Sequence, residues 1–179
     1  MELYIVRHGE TDWNALDKIQ GRTDNPLNEK GKAQAKAAAE KLKDVPIDVI
    51  ISSPLIRAYE TAEAIAEYHE GVTILKEPAL LEMNYGSFEG KYRLSPEFIA
   101  AKRNGFANRY PEGGESYFDV AARVYPLIEK LKREYPDKTV LLTAHNGIMR
   151  VVDSYFHDLS VEEFIFFAAG NTDFRHYTL

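Results

Sequence analysis

Hydrophobic positions in this chain form short, nearly continuous runs, separated by longer stretches with helical spacing. Leu3–Val6, Val49–Ile51, Val72–Leu75 and Thr139–Thr143 are rich in aliphatic and β-branched residues and read as strands. Asn28–Gly31 leads into an alanine-rich stretch from about Lys32 to Lys43 whose composition favours helix. A second helix is expected from the Ser52-Ser53-Pro54 turn to about Tyr68. Pro54 would lie in its first turn, where a missing N–H is harmless, and Gly71 would stop it. Ser116–Asp119 has the form of a capping box, and Val120, Val124, Leu127, Ile128 and Leu131 follow at helical spacing. Pro126 removes one backbone donor from that helix, which predicts a bend. Gly147–Tyr155 reads as a further helix and Phe174–Tyr177 as a final edge strand.

Strands alternating with helices predict an α/β sheet covered by helices on both faces. Gly90–Gly114, rich in Lys, Arg and aromatic residues, breaks the pattern and is expected to form a cap over a crevice. One domain over residues 1–179, with residues 90–114 as an insertion, accounts for the length.

Composition narrows the function classes only a little. No run of about 18 apolar residues is present, so no transmembrane helix is expected. The first residues lead straight into a strand without a signal-peptide pattern, and the expected location is the cytoplasm. There are no cysteines, which excludes disulfides and thiolate metal sites. A net charge of −6 argues against a nucleic-acid partner. It says little about small anions, because a cleft lined by arginines makes its own field whatever the far surface carries.

Candidate chemistry begins at the end of the first strand, where Arg7-His8-Gly9-Glu10-Thr11 places a histidine at a strand's carboxyl end. Open α/β sheets put their ligand crevices there. An adjacent arginine disfavours the imidazolium and can also hold an anion, so the pair suggests a phosphate site with its own nucleophile. His145 likewise ends a strand, with a glycine two residues on, whereas His69, His157 and His176 read as structural. Arg57 is either a phosphate clamp or a surface ion-pair partner, and Arg7 and Arg57 together offer the bidentate, permanently charged grip that phosphate suits. Glu82 is the candidate general acid, with Glu77 and Glu89 as neighbouring competitors. No His-Glu-x-x-His helix or carboxylate cluster accompanies these residues, so metal catalysis is not expected.

Five segments in order carry a resemblance that covers nearly the whole chain. They are Arg7–Thr11 with Trp13-Asn14; Gln20-Gly21 through Asp24–Leu27; Ser52–Leu55 with Arg57; Leu81-Glu82 through Gly86 to Glu89-Gly90; and Ala144–Gly147. Together they resemble the signature of the histidine phosphatase superfamily. The resemblance implies a phosphoglycerate mutase-like fold with a mostly parallel central sheet. It also implies that His8 is the phosphorylated residue and that His145 supports the transferring phosphoryl group. Asn14, Gly21 and Asn146 match phosphate-contact positions, the last two through their backbone amides. Tyr85 and Arg93 fall where mutases bind a substrate carboxylate, and Lys102-Arg103 follow in the cap. The functional expectation is a metal-independent, cofactor-free phosphatase acting on a small phosphorylated metabolite. Two other readings stay open. One is a phosphoglycerate mutase, which would need 2,3-bisphosphoglycerate, and the other is a non-catalytic phospho-ligand binder. A binder's mark would be a lost nucleophile or arginine, and neither is lost.

Overall fold

The computed structural model describes all residues, 1–179. Five strands, β1 (Glu2–Arg7), β2 (Val49–Ser52), β3 (Thr73–Lys76), β4 (Thr139–Ala144) and β5 (Phe174–Thr178), form one sheet in the order β3-β2-β4-β1-β5. The first four run parallel and β5 pairs antiparallel with β1. Every residue of β2 and β4 is buried, as expected where helices cover both faces. β3 is an edge strand and largely exposed.

Strand residues point alternately to two packed layers. Val6, Ile50 and Leu141 pack with Ala39, Leu42, Ala62 and Ile65 of α2 (Glu29–Leu42) and α3 (Ile56–Ala66). Leu3, Ile5, Ile51, Val140 and Leu142 face the larger core made with α5 (Tyr117–Glu134) and α6 (Asn146–Phe156). α2 is capped by Asn28, whose side chain accepts from Gly31 N at 2.8 Å.

Several boundaries differ from the sequence expectation. Leu55 is the N-cap of α3, so Pro54 lies just before the helix rather than in its first turn, and the helix ends at Ala66. Extended backbone at Leu55 fixes that start without a side-chain cap. α5 runs unbroken through Pro126. Pro126 lies on the exposed side, together with the Ala122 carbonyl that it leaves without a helical partner, and water can serve that group.

Two helices in the irregular regions escaped the sequence reading: α4 (Pro96–Arg103), capped by Ser95, and α7 (Val161–Phe166), opened by a Ser160–Glu163 capping box. A single turn, α1 (Asp12–Ala15), follows the first strand. Phe98 of α4 fastens the 90–114 segment by packing among Tyr85, Phe88 and Tyr110, with ring centroids 5.4–5.8 Å from it. The base of the segment is tied to the α1 turn by the Asp17–Arg93 ion pair at 2.6 Å and by a bridge between Lys18 and Tyr92.

Candidate active site

Strand register brings the two histidines together. Arg7 pairs with Ala144 and Ser52 with Thr143, so the residues that follow, His8, His145 and Ser53, emerge side by side. The His8 and His145 rings lie 5.2 Å apart between centroids.

His8 is buried, and its two ring nitrogens have different partners. Nδ1 lies 2.6 Å from the Gly9 carbonyl, and Nε2 lies 3.3 Å from Arg57 Nε. A carbonyl can only accept and a guanidinium can only donate, so the proton sits on Nδ1 and the lone pair on Nε2. Burial is the main cause that holds the His8 pKa well below its ordinary value, with the Arg57 and Arg7 charges adding to it. Desolvation thus outweighs the neighbouring arginine that the sequence suggested as the cause. The ring is neutral at physiological pH.

Arg57, 1% exposed, is a site residue and not a surface ion-pair partner. Its other nitrogens donate to the Thr23 carbonyl at 2.8 Å and the Gly21 carbonyl at 2.7 Å. Burial lowers its pKa to about 10, which leaves it charged. Gly21 has φ +53°, and a Cβ there would collide with Glu89, so glycine is required twice over. Glu89 accepts from the Arg22 and Thr23 amides at 2.9 Å each and from Thr23 Oγ1 at 2.6 Å, which makes it the tie that holds this loop. Glu77 only caps its own turn.

His145 is fully buried, its Nε2 lies 2.8 Å from Ser53 Oγ, and its Nδ1 has no partner. Burial, reinforced by Arg57, His8 and Arg7, holds its pKa well below the ordinary value. Ser53 Oγ already accepts from Leu55 N at 3.4 Å and has its own proton to give to Nε2. With the Ser53 proton given to Nε2, a neutral ring carries its own proton on Nδ1, which has no acceptor.

Arg7 donates to the Ala169 carbonyl at 2.6 Å, and its buried Nε is unpartnered. Asn14 Oδ1 is used by Thr11 N and Oγ1, both at 3.2 Å, and by Asn171 Nδ2 at 3.4 Å, which turns the amide NH2 away from these contacts. The side chain therefore caps its turn and still carries a free donor. Asn146 opens α6, and its Oδ1 accepts from Ala169 N at 2.8 Å. The His145 side chain does not cap α6, and Glu82 takes the Gly147 amide, so the Asn146 amide and the positive end of the helix dipole remain available to an anion.

Glu82 is 7% exposed and accepts from Met83 N at 2.8 Å and from Gly147 N at 3.2 Å. Its segment is clamped by Arg123, which donates to the Ala79 carbonyl at 2.5 Å and the Glu82 carbonyl at 3.4 Å while pairing with Glu115.

These residues open into a cavity of about 530 Å³. His8, Arg7, Arg57, Asn14, Gly21, Glu82 and Asn146 line it, and so do Tyr85, Arg93, Lys102 and Arg103. Tyr85 packs edge-on against Phe98 and Tyr110. Arg93 is half engaged, its Nε being held by Asp17. The remaining histidines lie elsewhere: His157 pairs with Asp153, and His176 stacks on Tyr4. Sequence reasoning missed Ser53, Asn171, the Ala168–Gly170 wall and Arg150. Only Ser53, inside a quoted motif, carried a usable signal. No group of three or more His, Cys, Asp or Glu side chains is placed to hold a metal ion, and no helix is long and apolar enough to cross a membrane.

The model of the histidine phosphatase superfamily (branch 1) matches residues 3–179. Phosphoserine phosphatase 1 of Hydrogenobacter thermophilus is 32% identical over 181 residues, covering 97% of this chain and 84% of the relative. A probable phosphoglycerate mutase, GpmB of Cronobacter sakazakii, is 37% identical over 151 residues, covering 81% and 69%. The mycobacterial glucosyl-3-phosphoglycerate phosphatase Rv2419c, solved in complex with VO3, superposes with a TM-score of 0.87 at 33% identity, covering 98% of this chain and 90% of that one. The chain belongs to the histidine phosphatase superfamily.

Proposed function

We propose that this member of the superfamily hydrolyses small phosphomonoesters through a phosphohistidine on His8. The observation that carries the proposal is the pair of His8 contacts, Nδ1 to the Gly9 carbonyl and Nε2 to Arg57, which leave a lone pair aimed where the arginine would hold phosphate. Nε2 attacks phosphorus and the bond to the ester oxygen breaks. Glu82 gives a proton to the departing alkoxide. Water then attacks phosphorus, the P–N bond breaks, and Glu82 takes the proton back. Arg7, Arg57, the Asn14 amide, His145 Nδ1 and the free amides of Gly21 and Asn146 neutralise the equatorial oxygens.

In this reading the arginines supply the positive charge that a metal would otherwise bring, and no cofactor is needed. Residues 90–114 act as a cap, with Tyr85 and Arg93 facing the part of the substrate that does not react. The expected setting is the cytoplasm. Phosphoglycerate mutase is the second reading, favoured by the surplus of positive charge in the cavity. Such an enzyme would use 2,3-bisphosphoglycerate. A panel of phosphomonoesters assayed in EDTA tests the proposal, alongside 3-phosphoglycerate with and without 2,3-bisphosphoglycerate. Release of phosphate without isomerisation is expected. Isomerisation that depends on the bisphosphate would overturn the hydrolytic reading, and rescue by a divalent ion would overturn the metal-free one.

A further inference from the structure

Glu115 follows the 90–114 segment and lies just before α5, with its side chain 17% exposed. Its carboxylate accepts four hydrogen bonds. Oε1 takes Arg22 Nη2 at 3.1 Å and Arg123 Nε at 3.0 Å. Oε2 takes Arg123 Nη2 at 3.2 Å and the Asn84 amide at 2.9 Å.

Each group that supplies these donors holds the segment carrying Glu82. The side-on pair with Glu115 fixes the plane of the Arg123 guanidinium, whose remaining nitrogen donates to the Ala79 carbonyl at 2.5 Å. Arg123 Nη2 and Arg22 Nε both reach the Glu82 carbonyl, at 3.4 Å each. The pinned Asn84 amide adjoins Met83, whose own amide binds the Glu82 carboxylate. Neither neighbouring loop needs this carboxylate for its attachment. The 90–114 segment is fastened by Phe98, by the Arg93–Asp17 pair and by the Glu115 amide, which donates to the Asn84 carbonyl at 2.9 Å. Glu89 holds the Arg22 and Thr23 amides.

We propose that Glu115 is a positioning residue for the general acid. Through Arg123, Arg22 and the Asn84 amide it fixes the backbone at Glu82, and so the point from which that carboxyl reaches the leaving oxygen. The proposal rests on the phosphatase reading for the role of Glu82. Glu115→Gln keeps the size of the side chain but leaves one oxygen for four donors, so two of them meet an NH2 group whichever way the amide turns. Glu82 is then free to shift, and part of the roughly 10²- to 10⁴-fold that a general acid contributes is lost.

The assay is kcat/KM over a series of ring-substituted phenyl phosphates, from p-nitrophenyl to p-methoxyphenyl, whose leaving groups need increasing help from a proton. Glu115→Gln should lose roughly tenfold more on the poorest leaving group than on the best, which steepens the dependence. A merely structural role would lower the whole series in parallel. That result, or no loss at all, would overturn the proposal. Arg123→Lys cannot serve Glu115 and both carbonyls together, and it should steepen the series in the same way. An unchanged slope there would also overturn the proposal. Glu82→Gln alone tests the acid reading, which a parallel loss in that variant would overturn. Coupling between the two sites tests the proposal separately. In a Glu82→Gln background, Glu115→Gln should cost no more than about twofold, because the group it places is gone. A full tenfold cost in that background would refute action through Glu82, whichever way the acid reading falls.

Discussion

Replacing Gly147 by alanine tests how the general-acid candidate is held. A Cβ built at Gly147 falls 2.4 Å from Glu82 Oε1, whereas ordinary van der Waals contact begins near 3.4 Å. One of the two groups must therefore give way by about 1 Å. Gly147 sits in the first turn of α6 directly after β4, and Ile148 and Met149 next to it are fully buried, so its backbone is held. The carboxylate at the end of the Glu82 side chain is the part that moves. Misplacing a reacting group by about 1 Å costs on the order of 100-fold in rate. Stability should change far less. Alanine is favoured over glycine within a helix by ~1 kcal/mol, which offsets a hydrogen bond of similar size weakened when Glu82 shifts. The assay is kcat/KM of Gly147→Ala on an alkyl phosphate and on p-nitrophenyl phosphate, with a melting curve for each protein. A loss of roughly 10- to 100-fold on the alkyl ester is expected, with little loss on the aryl ester, whose leaving group needs no proton. Equal losses on both esters, or none on either, would refute the assignment of Glu82 as the acid.

Arg57→Lys keeps the charge but cannot reach His8 Nε2, the Gly21 carbonyl and the Thr23 carbonyl together, and kcat should fall by about 100- to 1,000-fold. Retention of more than a tenth of wild-type activity would contradict the clamp. Ser53→Ala should lower kcat by about tenfold with KM little changed, because His145 loses the partner that sets its tautomer. A change confined to KM would point to a structural role instead. His8 and His145 are both buried with pKa values held low, so below pH ~6.5 the unfolded chain binds protons that the folded chain does not. Stability should therefore fall with acidification from pH 6.5 towards 5, with a slope of up to about 2.7 kcal/mol per pH unit from the two rings together. Denaturant melts of wild type and His145→Asn check this, and an unchanged slope in the variant would refute it.

The sheet and its two histidines were legible in the sequence because buried parallel strands leave continuous apolar runs, and because the residue after each run lands at the same edge. α4 and α7 were not legible. Each is short and lies among exposed residues, so few of its side chains record a buried face. Arg150 was hidden for a different reason. It lies in an apolar helical stretch, and only the fold shows that no carboxylate comes to meet it. Ser53 was read as part of a motif, but its partner is 92 residues away, and strand register alone puts them in contact. The Ala168–Gly170 wall depends on where β5 returns along β1, which local pattern does not encode.

The central claim is that His8 Nε2 takes the phosphoryl group from the substrate. Rapid acid-free denaturation of the wild-type enzyme during turnover of a radiolabelled phosphomonoester tests it most directly. The account predicts label bound to the protein that survives alkali, is lost in acid, maps to the peptide carrying His8, and is absent from His8→Ala, which should also be inactive. Label on another residue, or steady turnover by His8→Ala, would contradict it.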